Sequence, residues 1–298
     1  MAEDTAASTE SRSWFPAIPQ PVKRVFDQFP LVTYPPNAAP ARSTGTTGTT
    51  DKPDEHRLYI FASPQAARKG RPSVNPQCLK WQAYLKFSGI RFRTIPSNNH
   101  ASPNGALPFL LPASAGNPGT DDALPVPSNR LQRWADEQAH VDQGEAASMR
   151  EEVYTSLLDH RIRDAWLYTV YLDSSNFGSI ARRAYVEPST NNSIVRTVLA
   201  CQLQEAARSQ LLRTSTYIDV DDILAEAKNA FEALSVLLGS DSYFFGRAKP
   251  GLFDASVFAY VHLILDQKLG WNHNPLATYL DGHDNLLQHH ERLFNTYF

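Results

Sequence analysis

The sequence predicts a small α/β domain followed by an all-helical domain, and three observations carry that expectation. Of the 21 prolines, 18 lie in residues 1–128; proline removes a helix hydrogen bond and clashes with the preceding turn, so only the remainder can be helical throughout. Charge divides at the same place, with 13 Lys plus Arg against 9 acids in 1–128 and 15 against 22 in 129–298. Strand-like and helix-like apolar patterns alternate before residue 128, and only helical patterns follow it.

Composition narrows the function classes. With 298 residues and 42% apolar content the chain has material for real cores, which excludes wholesale disorder. A net charge of −3 excludes a globally basic nucleic-acid binder. Cys78 and Cys201 are the only cysteines, too few for a disulfide framework or a four-cysteine zinc site. That favours a reducing, cytosol-facing compartment. No apolar run approaches the roughly 20 residues that span a bilayer, and Glu3, Asp4 and Glu10 against Arg12 are unlike an Arg-rich mitochondrial presequence.

Residues 1–56 read as a mostly disordered extension, because 1–13 and the Pro/Ala/Thr/Gly run 36–52 hold too little apolar surface to offset ordering entropy. An apolar arm, 14–34, interrupts it with Trp14, Phe15, Phe26 and Phe29; leaving such rings in water forfeits burial energy, so the arm is expected to pack on its own domain or a partner. Arg57–Ala62 reads as a buried strand, followed by a basic loop to Val74. Asn75 is an expected N-cap with Pro76 at the first helical position, and the apolar helix Cys78–Phe87 is closed by Gly89. Further strands are expected at Ile90–Ile95, Leu107–Leu111 and Ala123–Val126, and Ser128 is expected to cap a helix running to Val141.

Beyond that, helices are expected at Glu145–His160, Arg161–Leu172, Ile194–Leu212, Val220–Leu238, Leu252–Leu269 and from Asn285 onward. In Ile194–Leu212 the recurrence of Val195, Val198, Leu199, Leu203, Ala206 and Leu211 predicts a buried face. This gives domains at 57–127 and 128–298.

Three blocks carry a family resemblance. Pro72-Ser-Val-Asn-Pro-Gln-Cys-Leu-Lys-Trp-Gln-Ala-Tyr-Leu-Lys-Phe-Ser-Gly89 is the first, Ser97-Asn-Asn99 with Ser102-Pro-Asn-Gly-Ala-Leu-Pro-Phe-Leu110 the second, and Tyr243-Phe-Phe-Gly246 with Gly251-Leu-Phe-Asp-Ala255 the third. The chain resembles the metaxins, over roughly residues 57–298. The resemblance implies a glutathione-transferase-like fold, with a thioredoxin-like domain at 57–127 and an all-helical domain at 128–298. It also implies a non-enzymatic, peripheral subunit of the mitochondrial outer-membrane sorting and assembly machinery, on the cytosolic face, similar to the smaller unanchored fungal subunit. Expected partners are the β-barrel core subunit, a second metaxin-like subunit, the sorting signal of β-barrel precursors, and the membrane surface. No nucleic acid, cofactor or metal is expected.

The competing reading is a glutathione-dependent enzyme, and the residues argue against it. Ser63 ends the first strand, where such an enzyme keeps its activating hydroxyl, but Pro64 and a basic loop follow it rather than a helix. Pro127 stands where the enzymes carry an acid that grips the ligand. Cys78 shares an apolar face with Trp81 and Leu85 and reads as core. Gly251 and Asp254 resemble a helix-capping box, a folding feature. His289 and His290 are adjacent and project about 100° apart on a helix, so with His283 and Asp284 they do not read as a metal cluster.

Two features remain as candidate contacts. No acid occurs between Glu55 and Asp121 while eight basic residues do. Leu107-Pro108 resembles the cis-proline step of thioredoxin-like domains. The residue before that proline offers backbone groups to an extended ligand, so Ala106, Leu107 and Pro108, flanked by Arg68, Lys69 and Arg71, form the expected receptor edge for a precursor or neighbouring subunit.

Overall fold

A computed structural model of the chain describes residues 55–113, 124–139, 149–213 and 215–298. The arm 14–34 lies outside the described residues, as do 114–123 and 140–148. Four strands form one sheet in the order β2-β1-β3-β4: β1 His56–Ile60, β2 Phe92–Pro96, β3 Phe109–Leu111 and β4 Val126–Pro127. β1 pairs parallel to β2, with Leu58 opposite Thr94, and antiparallel to β3, with Leu58 opposite Leu110.

The parallel pair needs a crossover, and helix α2, Pro76–Phe87, supplies it. Its ends follow the expected punctuation. Asn75 Oδ1 accepts from the Cys78 N–H at 3.1 Å. At the other end Gly89 adopts φ +70°, and the Gly89 and Ile90 N–H groups donate to the Lys86 and Leu85 carbonyls, the glycine-terminated closure that satisfies a helix's last carbonyls. Cys78, Leu79, Trp81, Ala83 and Leu85 are buried on several sides of α2. A helix apolar all round belongs between layers, and α2 lies against α9, Leu252–Leu265, which is itself buried along most of its length.

The helical part comprises α3 Leu131–Ala139, α4 Met149–Leu157, α5 Arg163–Leu167, α6 Ser174–Phe177, α7 Ser193–Leu211, α8 Val220–Leu238, α9, α10 Pro275–Leu280 and α11 Asp284–Tyr297. Wider π-type turns at Leu158–Ile162, Tyr168–Leu172 and Gly178–Val186 interleave with α4, α5 and α6. No described helix is long and apolar enough to cross a membrane.

Several expectations need correction. The stretch read as a basic loop contains a short helix, α1 Pro64–Arg68, capped by Ser63. Ser128 does not cap α3: Pro127 holds the cap position of a 3-10 turn, Ser128–Arg130, without a side-chain cap. The helix expected to reach Leu269 stops at Leu265, where Asp266 caps a separate turn, Gln267–Leu269. In α7 the buried side is Ala200, Ala207 and Leu211, whereas Val195 and Val198 are exposed and Ala206 lies outside. Small residues let a neighbouring helix approach more closely than the branched row does, and the α7 period accommodates either phase.

Buried polar groups fix the irregular segments. Asp254, 0% exposed, accepts from the Gly251 N–H at 2.9 Å and the Phe244 N–H at 3.0 Å, and its Oδ1 lies 2.8 Å from His289 Nε2. Asn176 donates to the Thr169 and His273 carbonyls and accepts from the Asn272 and His273 N–H groups. Replacing Asp254→Ala would strip the Phe244 and Gly251 donors and His289 of their acceptor. A loss on the order of 3 kcal/mol is expected in urea unfolding, against less than about 0.5 kcal/mol for Cys201→Ser on the exposed face of α7.

Candidate functional site

A groove of about 1060 Å³ opens between the segment after β1 and the helical part. Gln82 builds its near wall from inside: its Oε1 accepts from the Ser73 N–H at 3.0 Å and its Nε2 donates to the Arg71 carbonyl at 2.9 Å. Ser73 in turn donates to the Phe61 carbonyl at 2.6 Å. The Thr94 hydroxyl donates to the Ala67 carbonyl at 2.7 Å, tying α1 to β2. The far wall comes from Ile180 and Tyr185, from Leu269, and from Phe294 and Phe298 at the end of the chain.

The groups that the competing enzyme reading would need are turned to structural use. Ser63 lines the groove, but its Oγ accepts from the Ala66 N–H at 3.2 Å. Cys78 is fully buried, and burial pushes its thiol up to about 12, far from a reactive thiolate. The Leu107-Pro108 bond is cis. The Leu107 N–H, however, donates to Asn99 Oδ1 at 3.0 Å, so half of the backbone pair expected to meet an extended ligand is already engaged.

The structure separates the candidate contacts. Ala106 is exposed while Leu107 and Pro108 are buried. Lys69 and Arg71 line the groove, whereas Arg68, Ala106, Leu107 and Pro108 do not. Trp14, Phe15, Phe26 and Phe29 lie outside the described residues. Sequence reasoning misses the far wall altogether. Arg183, Asp266, Lys268 and Phe298 converge only through the fold, and Lys268 falls inside an expected continuous helix.

The histidines divide between partners. His289 faces Asp254, while the His290 Nε2 lies 3.0 Å from the His262 Nδ1. Rings of Phe258 and Phe294 stack on the second pair, and Phe298 stacks on Phe258. Among the described residues no group of three or more metal-ligating side chains assembles. Burial, reinforced by His262 and His289, holds His290 down to about 3, and burial lowers His262 as well. Two neutral imidazoles sharing one proton satisfy each other.

Comparison with known proteins places this geometry in context. Residues 17–76 match the family described as SAM35, subunit of SAM complex. Residues 76–176 and 227–293 match the N-terminal and C-terminal domains of glutathione S-transferase, which makes the fold glutathione-transferase-like. Human metaxin-1 is 28% identical over 77% of this chain and 49% of its own length. Metaxin-3 of Xenopus laevis is 29% identical over 64% of this chain and 62% of its own length. The chain therefore spans about half to three-fifths of these relatives. A glutathione transferase family member from Pseudomonas fluorescens, solved with two glutathione bound, is 13% identical, covers 81% of this chain and 89% of its own, and superposes with a TM-score of 0.46. Together the SAM35 match, the transferase domains and the metaxin relatives support a metaxin-family chain.

The histidine pair sets a pH dependence. With His290 at about 3 in the folded chain against an ordinary 6.5, the native state binds fewer protons than the unfolded state between those values. Stability then falls as pH drops through that window, by at most about 1.4 kcal/mol per pH unit for this one group. Urea unfolding from pH 7 to pH 4 should show this slope, and His290→Phe should flatten it.

Proposed function

We propose, from its kinship with the metaxins, that this chain is a non-enzymatic adaptor subunit of the mitochondrial sorting and assembly machinery. It sits peripherally on the cytosolic face of the outer membrane and helps to receive β-barrel precursors. The observation that carries the reading is the SAM35 match over residues 17–76, joined by transferase-domain matches over 76–176 and 227–293 and by metaxin relatives over 77% of the chain. The state of the transferase-like positions supports it: the backbone donor before the cis-proline is committed to Asn99, and Pro127 cannot supply a carboxylate.

An adaptor needs surfaces rather than a reaction centre. Its expected partners are the β-barrel core subunit, a second metaxin-like subunit and the precursor's sorting signal. The exposed Ala106, beside the buried Leu107, is the point on the thioredoxin-like part where an extended segment would be met, and the aromatic arm 14–34 is a second contact.

Three outcomes are expected. Calorimetry should give no micromolar affinity for glutathione, and such an affinity would instead favour the enzyme reading. Photo-crosslinkers at Ala106 and in the arm at Phe15 should capture a precursor segment or a machinery subunit in isolated mitochondria. Deleting residues 1–36 should detach the chain from its complex or lower its thermal stability, and if neither changes the arm is no contact.

A further inference from the structure

The groove has a chemical character that the adaptor reading does not use. Its floor is apolar, formed by Phe61, Ile180, Leu269, Phe294 and Phe298. Its rim carries Lys69, Arg71, Arg183 and Lys268 against one acid, Asp266. Two of these five charges are engaged. Arg183 donates to the Lys268 and Leu269 carbonyls, and Asp266 accepts from the Lys268 N–H at 2.9 Å. Lys69, Arg71 and Lys268 form no ion pair among the described residues.

The remaining polar groups decide between a peptide and a lipid. A peptide brings one donor and one acceptor per residue, each needing a partner where water is excluded. Here Pro64, Pro72, Pro96 and Pro188 line the groove without an N–H to offer. The Gly70 and Arg71 carbonyls are taken by Gln82. The Ser63 Oγ serves the Ala66 N–H, the Tyr185 hydroxyl meets Asn75 and Val74, and the Ser189 hydroxyl donates to the Tyr185 carbonyl. Apart from the Ser63 and Ser97 hydroxyl donors and the Asn98 amide nitrogen, the side chains left unengaged are cationic or apolar. A ligand with a negative head and a tail free of polar atoms fits that wall, and about 1060 Å³ is the size of a small-molecule site.

We propose that this groove takes an anionic phospholipid from a membrane surface, its phosphate between Lys69, Arg71 and Lys268 and an acyl chain along Ile180, Leu269 and Phe298. Arg68, exposed on α1 beside the mouth, meets neighbouring headgroups. The inference rests on the groove and not on the adaptor reading, and either can fail without the other.

The test uses the full chain and vesicles of phosphatidylcholine, with and without phosphatidylserine. Flotation with the phosphatidylserine vesicles only, weakened by salt, is expected. The triple variant Lys69→Ala, Arg71→Ala, Lys268→Ala removes three exposed cations; at about fivefold per cation, vesicle affinity should fall on the order of a hundredfold. Phe298→Trp supplies a reporter in the groove wall, and phosphatidylserine brominated along its acyl chain should quench its fluorescence beyond the quenching seen in the unsubstituted chain. Vesicle binding without that extra quenching would overturn the proposal in favour of headgroup attraction alone. Quenching by a brominated free fatty acid but not by the brominated phospholipid would overturn its source. If the Phe298→Trp variant ignores the vesicles but shifts its emission with an extended acidic peptide, the groove belongs to a peptide and the proposal falls.

Discussion

The fold hangs on one buried carboxylate. Asp254 lies in the first turn of the central helix α9 and is wholly removed from water, a placement that costs several kcal/mol unless every lone pair finds a donor. Its donors come from three segments: the cap residue Gly251, the turn at Phe244, and His289 of α11. Satisfying one group therefore fixes where α9 begins, how the Tyr243–Gly246 turn approaches it, and which side of α11 faces inward. With His289 turned to Asp254, its neighbour His290 is directed to His262 on the same α9, and the end of α11 brings Phe294 and Phe298 to the groove. The Phe294 and Phe298 part of the groove's far wall is thus a consequence of a folding interaction made elsewhere on the same two helices.

The near wall has a comparable origin. Gln82, buried in α2, holds the loop before that helix through the Arg71 carbonyl and the Ser73 N–H. Because α2 is pressed between the sheet and α9, the loop inherits the rigidity of the core. Positions that serve catalysis in an enzyme of this fold serve structure here. A serine hydroxyl caps α1, and an asparagine side chain occupies the backbone donor next to the cis-proline. Each of these uses is local and leaves the transferase-like architecture unchanged.

Legibility in the sequence follows punctuation. Asn75, Pro76 and Gly89 bracket α2 because each has one dominant local use, and Val220–Leu238 is readable from end to end because Asp219 and Gly239 bound it. Where punctuation is ambiguous the reading fails. Ser63-Pro64 is as good a helix start as a loop, which hides α1. No glycine or proline separates Met149 from Leu172, so the π-type turns leave no mark. The apolar row on α7 misleads in part: Leu211 is buried, but Val195 and Val198 face outward while Ala200 and Ala207 face in. The groove is illegible for a different reason: its residues come from 61–98, 180–189 and 262–298, and only tertiary packing unites them.

The acid-free run is the most conspicuous feature of the sequence, and its fate depends on position within the fold. Lys86 is absorbed, donating to the Tyr297 carbonyl at 2.7 Å and lying 4.3 Å over the Phe298 ring; Lys80 lies over Trp81. Both sit on α2, where the aliphatic stems lie along the core and the charged ends reach its boundary. Arg68, Lys69, Arg71 and Arg91 are exposed. Asp159 of the helical part lies near enough to Lys80 to act on its charge, whereas Arg161 pairs with Glu226 and Arg247 with Glu151. Exposed cations such as Lys69 and Arg71 collect counterions, and their attraction to an anionic partner grows as salt is lowered. Placed beside an apolar groove, that surplus charge selects ligands that are both negative and greasy.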